Sequence, residues 1–235
     1  MPRPLFSLSP RMEAAARGLS GCRRVADIGS DHAKLPAWLL KTGRAERVYA
    51  VDISPFSVEK ARGMALRYGL EGKLIPLLGD GLAPLSPDLV DGAVIAGMGG
   101  DTITSILNRA PWIFSPGKRL VIQCMSSPEV LEEALLRASA RVLREEIILD
   151  SGRYYTVLTL EGADAPEIGA LPTRFLLKDP LCPDYLEREV RLSEVQLSGL
   201  ARKREPREED IRRLRRRLST LTSLKEELNH ESSNL

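Results

Sequence analysis

Apolar residues in the first half of the chain fall into short unbroken runs separated by stretches of helical period. The runs lie within "RRVADIG", "ERVYAVDIS", "KLIPLLGDG", "LVDGAVIAGMGG" and "KRLVIQCMS". Continuous rather than alternating runs predict strands buried on both faces, as in a parallel sheet. Helices are predicted between them. Ser9-Pro10 opens the first and Gly18 closes it; the second ends at Gly43; the third covers Ser57 to Tyr68, with Gly69 as its stop; another runs from Asp101 to Arg109; and Ser127 caps one that Pro128 opens. Strands alternating with helices in this way predict βαβ units. After Ser139 the pattern changes to two strands joined by a turn at Asp150-Ser151-Gly152.

A proline-containing stretch from Ala163 reads as a linker. Beyond it, Leu186, Val190, Leu197 and Leu200 share one helical face, with Ser193 in the missing slot. Pro206 interrupts the pattern. Ile211, Leu214, Leu218, Leu221, Leu224 and Leu228 then recur at intervals of three and four. Two amphipathic helices folding back as an antiparallel hairpin are expected. The division expected is residues 1–165 for the α/β domain and 166–235 for the linker and a helical coiled-coil domain.

Composition narrows the class. Hydrophobic residues make up 43% and charged residues 28% of 235, which fits a globular chain and not a disordered one. Three dispersed cysteines, Cys22, Cys124 and Cys182, suggest a reduced, cytoplasmic protein without disulfides, and no His/Cys cluster suggests a metal. No stretch is apolar for long enough to span a bilayer. Net charge is only +2, but 201–217 holds nine Lys/Arg against four Asp/Glu, leaving −3 for the remainder. The basic character therefore belongs to the C-terminal helices.

Candidate chemistry gathers at the carboxyl ends of the predicted strands, where ligands bind in open α/β sheets. Asp27, Gly29, Ser30, Asp31 and His32 follow the first strand without a G-x-G-x-x-G pattern, which argues against a pyrophosphate. Carboxylates at 27 and 31 suit a cationic ligand such as S-adenosylmethionine. Asp52, beside Ile53, ends the second strand, where an acid commonly accepts from ribose hydroxyls. Asp80-Gly81 follows the third, and Asp80 could meet an adenine amino group. The fourth strand runs through Ala96 into Gly97, Met98, Gly99 and Gly100, as though something must come close to the chain there. Singly, each of these is a turn or cap residue as readily as a functional one.

Together "VADIGSDHAKLPAWLLKTG", "AVDISPFSVEKAR", "LLGDGLAPL" and "VIAGMGG" resemble the bacterial tRNA (adenine-22-N1)-methyltransferase (TrmK) family. "DIGSDHAKLP" and "GMGG" carry most of the resemblance, which covers roughly Ser9 to Leu160. It implies a Rossmann-like class I methyltransferase fold, a seven-stranded mostly parallel sheet plus a C-terminal helical hairpin, S-adenosylmethionine as cofactor and tRNA as partner. The resemblance places the cofactor pocket at Asp27, Gly29, Asp31, His32, Asp52, Asp80 and Gly81, to which Ser30, Ile53 and Ala96 are added. Gly97 to Gly100 correspond to the catalytic loop, with Asp31 counted in the catalytic set. The family's Gln-Pro-Asn triplet after the fifth strand is Gln123-Cys124-Met125 here.

Methylation of adenine N1 is the expected reaction. The absence of an Asn/Asp-Pro-Pro-aromatic sequence after the fourth strand favours a ring nitrogen over the exocyclic amine. Gly99→Val is expected to abolish transfer without unfolding the chain. Arg202, Lys203, Arg212, Arg213 and Arg216 are candidates for RNA contact, because arginines pair with phosphates and stack on bases. Two rivals stand beside this reading: a methyltransferase acting on another RNA or a small molecule, and a non-catalytic RNA-binding scaffold of the same fold.

Overall fold

The computed structural model describes residues 6–202, 205 and 207–233. Seven strands form one sheet: β1 (Arg24–Ile28), β2 (Arg47–Asp52), β3 (Leu74–Leu78), β4 (Gly92–Met98), β5 (Arg119–Cys124), β6 (Ala140–Asp150) and β7 (Arg153–Gly162). Their spatial order is β3-β2-β1-β4-β5-β7-β6, with β1 to β5 parallel and β7 antiparallel to both β5 and β6. The order reverses between β1 and β4, which is the switch point where a crevice opens in such sheets.

The unbroken apolar runs have a simple cause: each strand feeds two cores. Val25, Val94 and Val121 enter the cluster under helices α1 (Pro10–Gly18) and α2 (Lys34–Lys41), with Leu35 and Leu39. Their neighbours Ala26, Ile28, Ile95 and Ile122 enter the opposite cluster, with Ile103 and Ile106 of α4 (Gly100–Arg109) and Leu131 and Leu135 of α5 (Pro128–Leu135). The side-chain period of two thus becomes a layer on each face. Helix α3 (Pro55–Tyr68) ends as its sequence signals, on a left-handed Gly69 whose N–H returns to the last turn.

Two expected caps are corrected. Ser127 does not cap α5 through its side chain; it sits at φ 51°, ψ 47°. Ser9 precedes Pro10 without a side-chain cap, and its hydroxyl bonds Asp150 instead. In both cases proline at the helix start suffices to set the entry.

The stretch after β7 is more than a linker. Ile168 and Leu171 are buried in the cluster beneath the sheet, and residues 174–178 make a turn of 3₁₀ helix whose Leu176 is fully buried. Helices α6 (Cys182–Ala201) and α7 (Glu208–Ser233) pack as a hairpin. Leu221 and Leu224, late in α7, meet Cys182, Tyr185 and Leu186, early in α6, around Ile147 of β6. Ser193, the polar residue in the apolar face, is 2% exposed. No helix among the described residues is long and apolar enough to cross a membrane.

Candidate active site

The first strand ends in a tight turn. Gly29 has φ +78°, and the N–H groups of Gly29 and Ser30 both donate to the carbonyl of Val51 on β2, at 2.8 and 3.2 Å. A Cβ on Gly29 would meet only the movable Met98 methyl, so it is the positive φ of the turn that calls for glycine here. Asp27 is 9% exposed and accepts from the Ser30 hydroxyl at 2.6 Å. Burial pushes its carboxyl up to about 6, with Ser30 opposing and Asp52 adding to the rise.

Asp31 turns towards α3. Lys60 donates to it at 2.8 Å, Ser57 at 3.1 Å, and His32 Nε2 lies 3.0 Å away. The Lys60 hydrogen bond is the main cause holding its carboxyl below the usual range. A carboxylate so stabilised is a poor proton acceptor, so general-base chemistry is not supported for Asp31. His32 is 58% exposed at the side chain.

Asp52 accepts from the Ser54 N–H at 2.9 Å and lies in register with Leu78 of β3. Beside it the large apolar side chains Ile53, Phe56 and Leu78 are 72%, 70% and 57% exposed. Asp80 does not stand free: Arg109 takes both of its oxygens, at 2.6 and 3.0 Å, and holds the carboxyl down. Gly81, at φ +61°, is required sterically, since a Cβ would lie 2.8 Å from Ile106 of α4.

The glycine loop is built by the segment after β5. Ala96 pairs with Gln123 and Met98 with Cys124, so Gly97 is the extra residue of a β-bulge, at φ +80°. A bulged residue loses its ladder partner. Gln123, fully buried, supplies one: its Oε1 accepts from Gly97 N–H at 3.1 Å. Next, Met125 N–H donates to the Met98 carbonyl and Gly100 N–H to that of Ser126, both at 2.8 Å.

The last two glycines answer to this second segment. A Cβ on Gly99 would stand 2.9 Å from Ser126 Oγ, and one on Gly100 would overlap the Ser127 carbonyl oxygen. Nothing lies within 4 Å of where a Cβ on Gly97 would be. Open space therefore belongs to Gly97, and close packing to Gly99 and Gly100.

Arg11 of α1 completes the support. Its Nη1 donates to Gln123 Oε1 at 3.4 Å and its Nε to Asp150 at 2.8 Å, with the guanidinium 4.6 Å from the centre of the Tyr155 ring. The Met125 sulfur lies 3.3 Å from Gln123 Nε2. Sequence patterns do not mark Arg11, Arg109, Ser126 or Ser127 as site residues, Arg109 and Ser127 being read only as helix ends. Arg11 is 112 residues from Gln123, and no local pattern marks such a pairing. Burial pushes the Cys124 thiol up to about 11, so it is no thiolate nucleophile near neutrality.

The basic block on α7 is divided: Arg213 and Arg217 turn inward to acids of other helices, while Arg212, Arg215 and Arg216 stay exposed. Arg213 pairs with Glu133, Glu209 and Asp210, and Arg212 reaches Glu133 at 3.3 Å. Arg217, 6% exposed at the side chain, bridges Glu132 of α5 and Glu189 of α6. Arg213 is thus not free for a phosphate. Arg202, Arg215 and Arg216 are exposed, and Lys203 lies outside the described residues. Among the described residues no three His, Cys, Asp or Glu side chains gather to hold a metal ion.

Acids at the carboxyl ends of β1 and β2 beside the switch point, and an antiparallel β7 beside β5, define a class I methyltransferase architecture. In agreement, residues 8–158 match the model of a methyltransferase domain family. The chain is 30% identical over 159 residues to the tRNA (adenine(22)-N(1))-methyltransferase of Bacillus subtilis (strain 168), covering 68% of this chain and 67% of that one. It belongs to the tRNA (adenine(22)-N(1))-methyltransferase family.

Solved structures share the fold through the helical hairpin. The crystal structure of the B. subtilis M1A22 tRNA methyltransferase TrmK superposes with a TM-score of 0.78 at 24% identity, over 94% of this chain and all of that one. TrmK of M. capricolum, in complex with the cofactor product S-adenosyl-homocysteine, gives 0.73 at 21% identity, over 95% and 99%.

Proposed function

We propose that this chain transfers a methyl group from S-adenosylmethionine to N1 of an adenine in tRNA, adenine 22 by its family. The observation that carries the reading is the bulged Gly97, open on its Cβ side and fixed by Gln123, beside the acids that end β1 and β2. The residues fit this cofactor. Asp27 and Asp52 suit a ligand with an ammonium group and ribose hydroxyls, and the exposed Ile53 and Leu78 offer an apolar face to a purine. Asp80, fixed by Arg109, has carboxylate lone pairs left for an adenine amino group. Asp31, bonded to Lys60 and Ser57 of α3 and beside His32, anchors the β1–α2 loop.

Bound there, S-adenosylmethionine supplies an electrophilic methyl group. Adenine N1 already presents a lone pair, so no side chain has to remove a proton first. What the chain contributes is orientation: rate comes from holding nucleophile and methyl carbon in line at near-attack distance. The linked hydrogen bonds Arg11–Gln123–Gly97 give that loop its rigidity. Met125, where the family has an amide, accepts from Gln123 Nε2 through its sulfur at 3.3 Å and so offers the target base no hydrogen-bonding group. The adenine must leave its stack to reach this loop.

The deciding test is incubation of the protein with methyl-labelled S-adenosylmethionine and unmodified bacterial tRNA, followed by nucleoside analysis. Labelled 1-methyladenosine is expected, and it should vanish when position 22 of the tRNA is guanine. Label in another nucleoside, or none, would overturn the reading.

Cofactor affinity should also depend on Asp27. In the folded chain its carboxyl titrates at about 6, above the ~3.9 of an unperturbed Asp. The proton is therefore favoured by folding, and this group's contribution to stability is lost as pH rises through about 6. A cationic ligand favours the ionised form. Affinity is expected to be flat above pH ~6 and to weaken by up to tenfold per unit below it, because binding then displaces one proton. Calorimetric titration from pH 5 to 8 checks this, and Asp27→Asn should flatten the profile.

A further inference from the structure

A cleft of about 540 Å³ lies between the start of β7 and α6, and one wall is the segment that staples the glycine loop. Cys124, Met125 and Ser126 line it, and two of these make the backbone bonds to Met98 and Gly100 described above. Across from them stand Arg153 and Tyr154 of β7 and Arg188 and Leu192 of α6. The cleft therefore begins where the catalytic loop ends.

The cleft shares Arg217 with the arginine block on α7, but that guanidinium is already committed to acids. Glu189, the cleft's acid, is taken by Arg217 at 3.0 Å. Arg153 and Arg188 are exposed, and among the described residues neither has a carboxylate within ion-pair distance. Arg188 instead lies 5.8 Å from the centre of the Tyr154 ring, which in turn packs edge-on against Tyr185. A guanidinium held against an aromatic ring is oriented before any ligand arrives, and loses less freedom on meeting a planar or phosphate group. Met125 and Leu192, 44% and 42% exposed, add apolar surface in the same cleft.

Two uncompensated guanidiniums with aromatic and apolar side chains suit a single-stranded nucleotide, in which a phosphate meets arginine and an unstacked base meets a flat or apolar surface. We propose that this cleft is a second RNA subsite, holding a nucleotide that flanks the methylated adenine, with its phosphate on Arg153 and Arg188 and its base against Met125 and Leu192. The inference rests on the RNA reading above. It adds an RNA contact at the junction between sheet and hairpin to the surface that the exposed Arg202, Arg215 and Arg216 already offer.

The test uses the full chain carrying Arg153→Gln, Arg188→Gln or both, with tRNA as substrate. The double variant should raise KM for tRNA at least tenfold while leaving kcat and S-adenosylmethionine affinity unchanged. The plot of log affinity against log salt should become shallower by about 0.7 for each phosphate that is no longer neutralised. Arg188→Lys should recover part of the affinity. Both side chains are exposed, so thermal melting should match the parent. A wild-type KM, or a fall in kcat alone, would overturn the subsite while the parent's labelling of tRNA keeps the methylation reading standing. If the parent labels no tRNA, both fall.

Discussion

Arg217→Met is expected to destabilise the fold by about 3–5 kcal/mol, the range for breaking a buried ion pair from one side. Its guanidinium is 6% exposed and bridges Glu132 and Glu189, which are 14% and 18% exposed at the side chain. Removing it leaves two largely buried carboxylates without their cation. Burial already pushes Glu132 up to about 7, with Arg217 the main force opposing. Without Arg217 that carboxyl should rise further. A raised carboxyl favours the folded chain only while protonated, so this group's contribution is lost as pH rises. The deficit of the variant should therefore be larger at pH 8 than at pH 5.5. Urea unfolding at the two pH values measures it, and Glu132→Gln in the same chain should restore part of the stability. A single variant within 1 kcal/mol of the parent would show that Arg217 does not hold α5, α6 and α7 together.

Gly100→Ala is expected to abolish methyl transfer and to lower stability by roughly 1–3 kcal/mol, as overpacking does where backbone cannot yield. The new Cβ would overlap the Ser127 carbonyl oxygen, and the Leu131 N also lies only 3.4 Å from it. Relief requires moving the start of α4 away from the start of α5, which pulls the glycine loop off its template. Gly99→Ala meets only Ser126 Oγ, the end of a short side chain that can rotate, so it should keep the fold and most of the activity. This revises the expectation for Gly99→Val. Loss of transfer in that variant would report displacement of the 126–127 segment as readily as obstruction of a base. Turnover assays and thermal melts of both alanine variants separate the cases. Parental activity in Gly100→Ala would remove the template role of Ser126 and Ser127.

The strand ends were legible because two signals coincide there. Runs such as Ala93 to Ala96 must be buried on both faces, and the glycines and acids that stop them are what a chain needs in order to turn and to meet a ligand. Asp27 and Asp52 could therefore be placed at the ends of adjacent strands before any coordinates, and the pairing of Asp27 with Ala50 puts those strands in register. The partners were not legible. Nothing local tells Asp80 that Arg109, in the last turn of a helix 29 residues away, will take both its oxygens. The same holds for the arginine block. Its charge could be counted, but Glu132, Glu133 and Glu189 lie on other helices, and only their packing shows which arginines face inward.

The sequence by itself determined the alternation of strands and helices, the final hairpin of the sheet, the two amphipathic helices and the family's glycine and acid positions. These follow from period, from turn chemistry and from short motifs, all of which act over a few neighbouring residues. Tertiary structure alone decided why Gly29, Gly81, Gly97, Gly99 and Gly100 are glycines, that Gln123 supplies the hydrogen bond a bulge would otherwise lack, and that Arg11 reaches it from the first helix. It also decided that Arg213 and Arg217 of the densest basic run are held by acids of other helices, whereas Arg153 and Arg188, in the cleft beside the segment after β5, have no carboxylate partner among the described residues. The physical reason is that steric overlap, ion pairing and backbone satisfaction depend on distances through space, and the chain must fold before residues 112 or 26 positions apart can meet those requirements for one another.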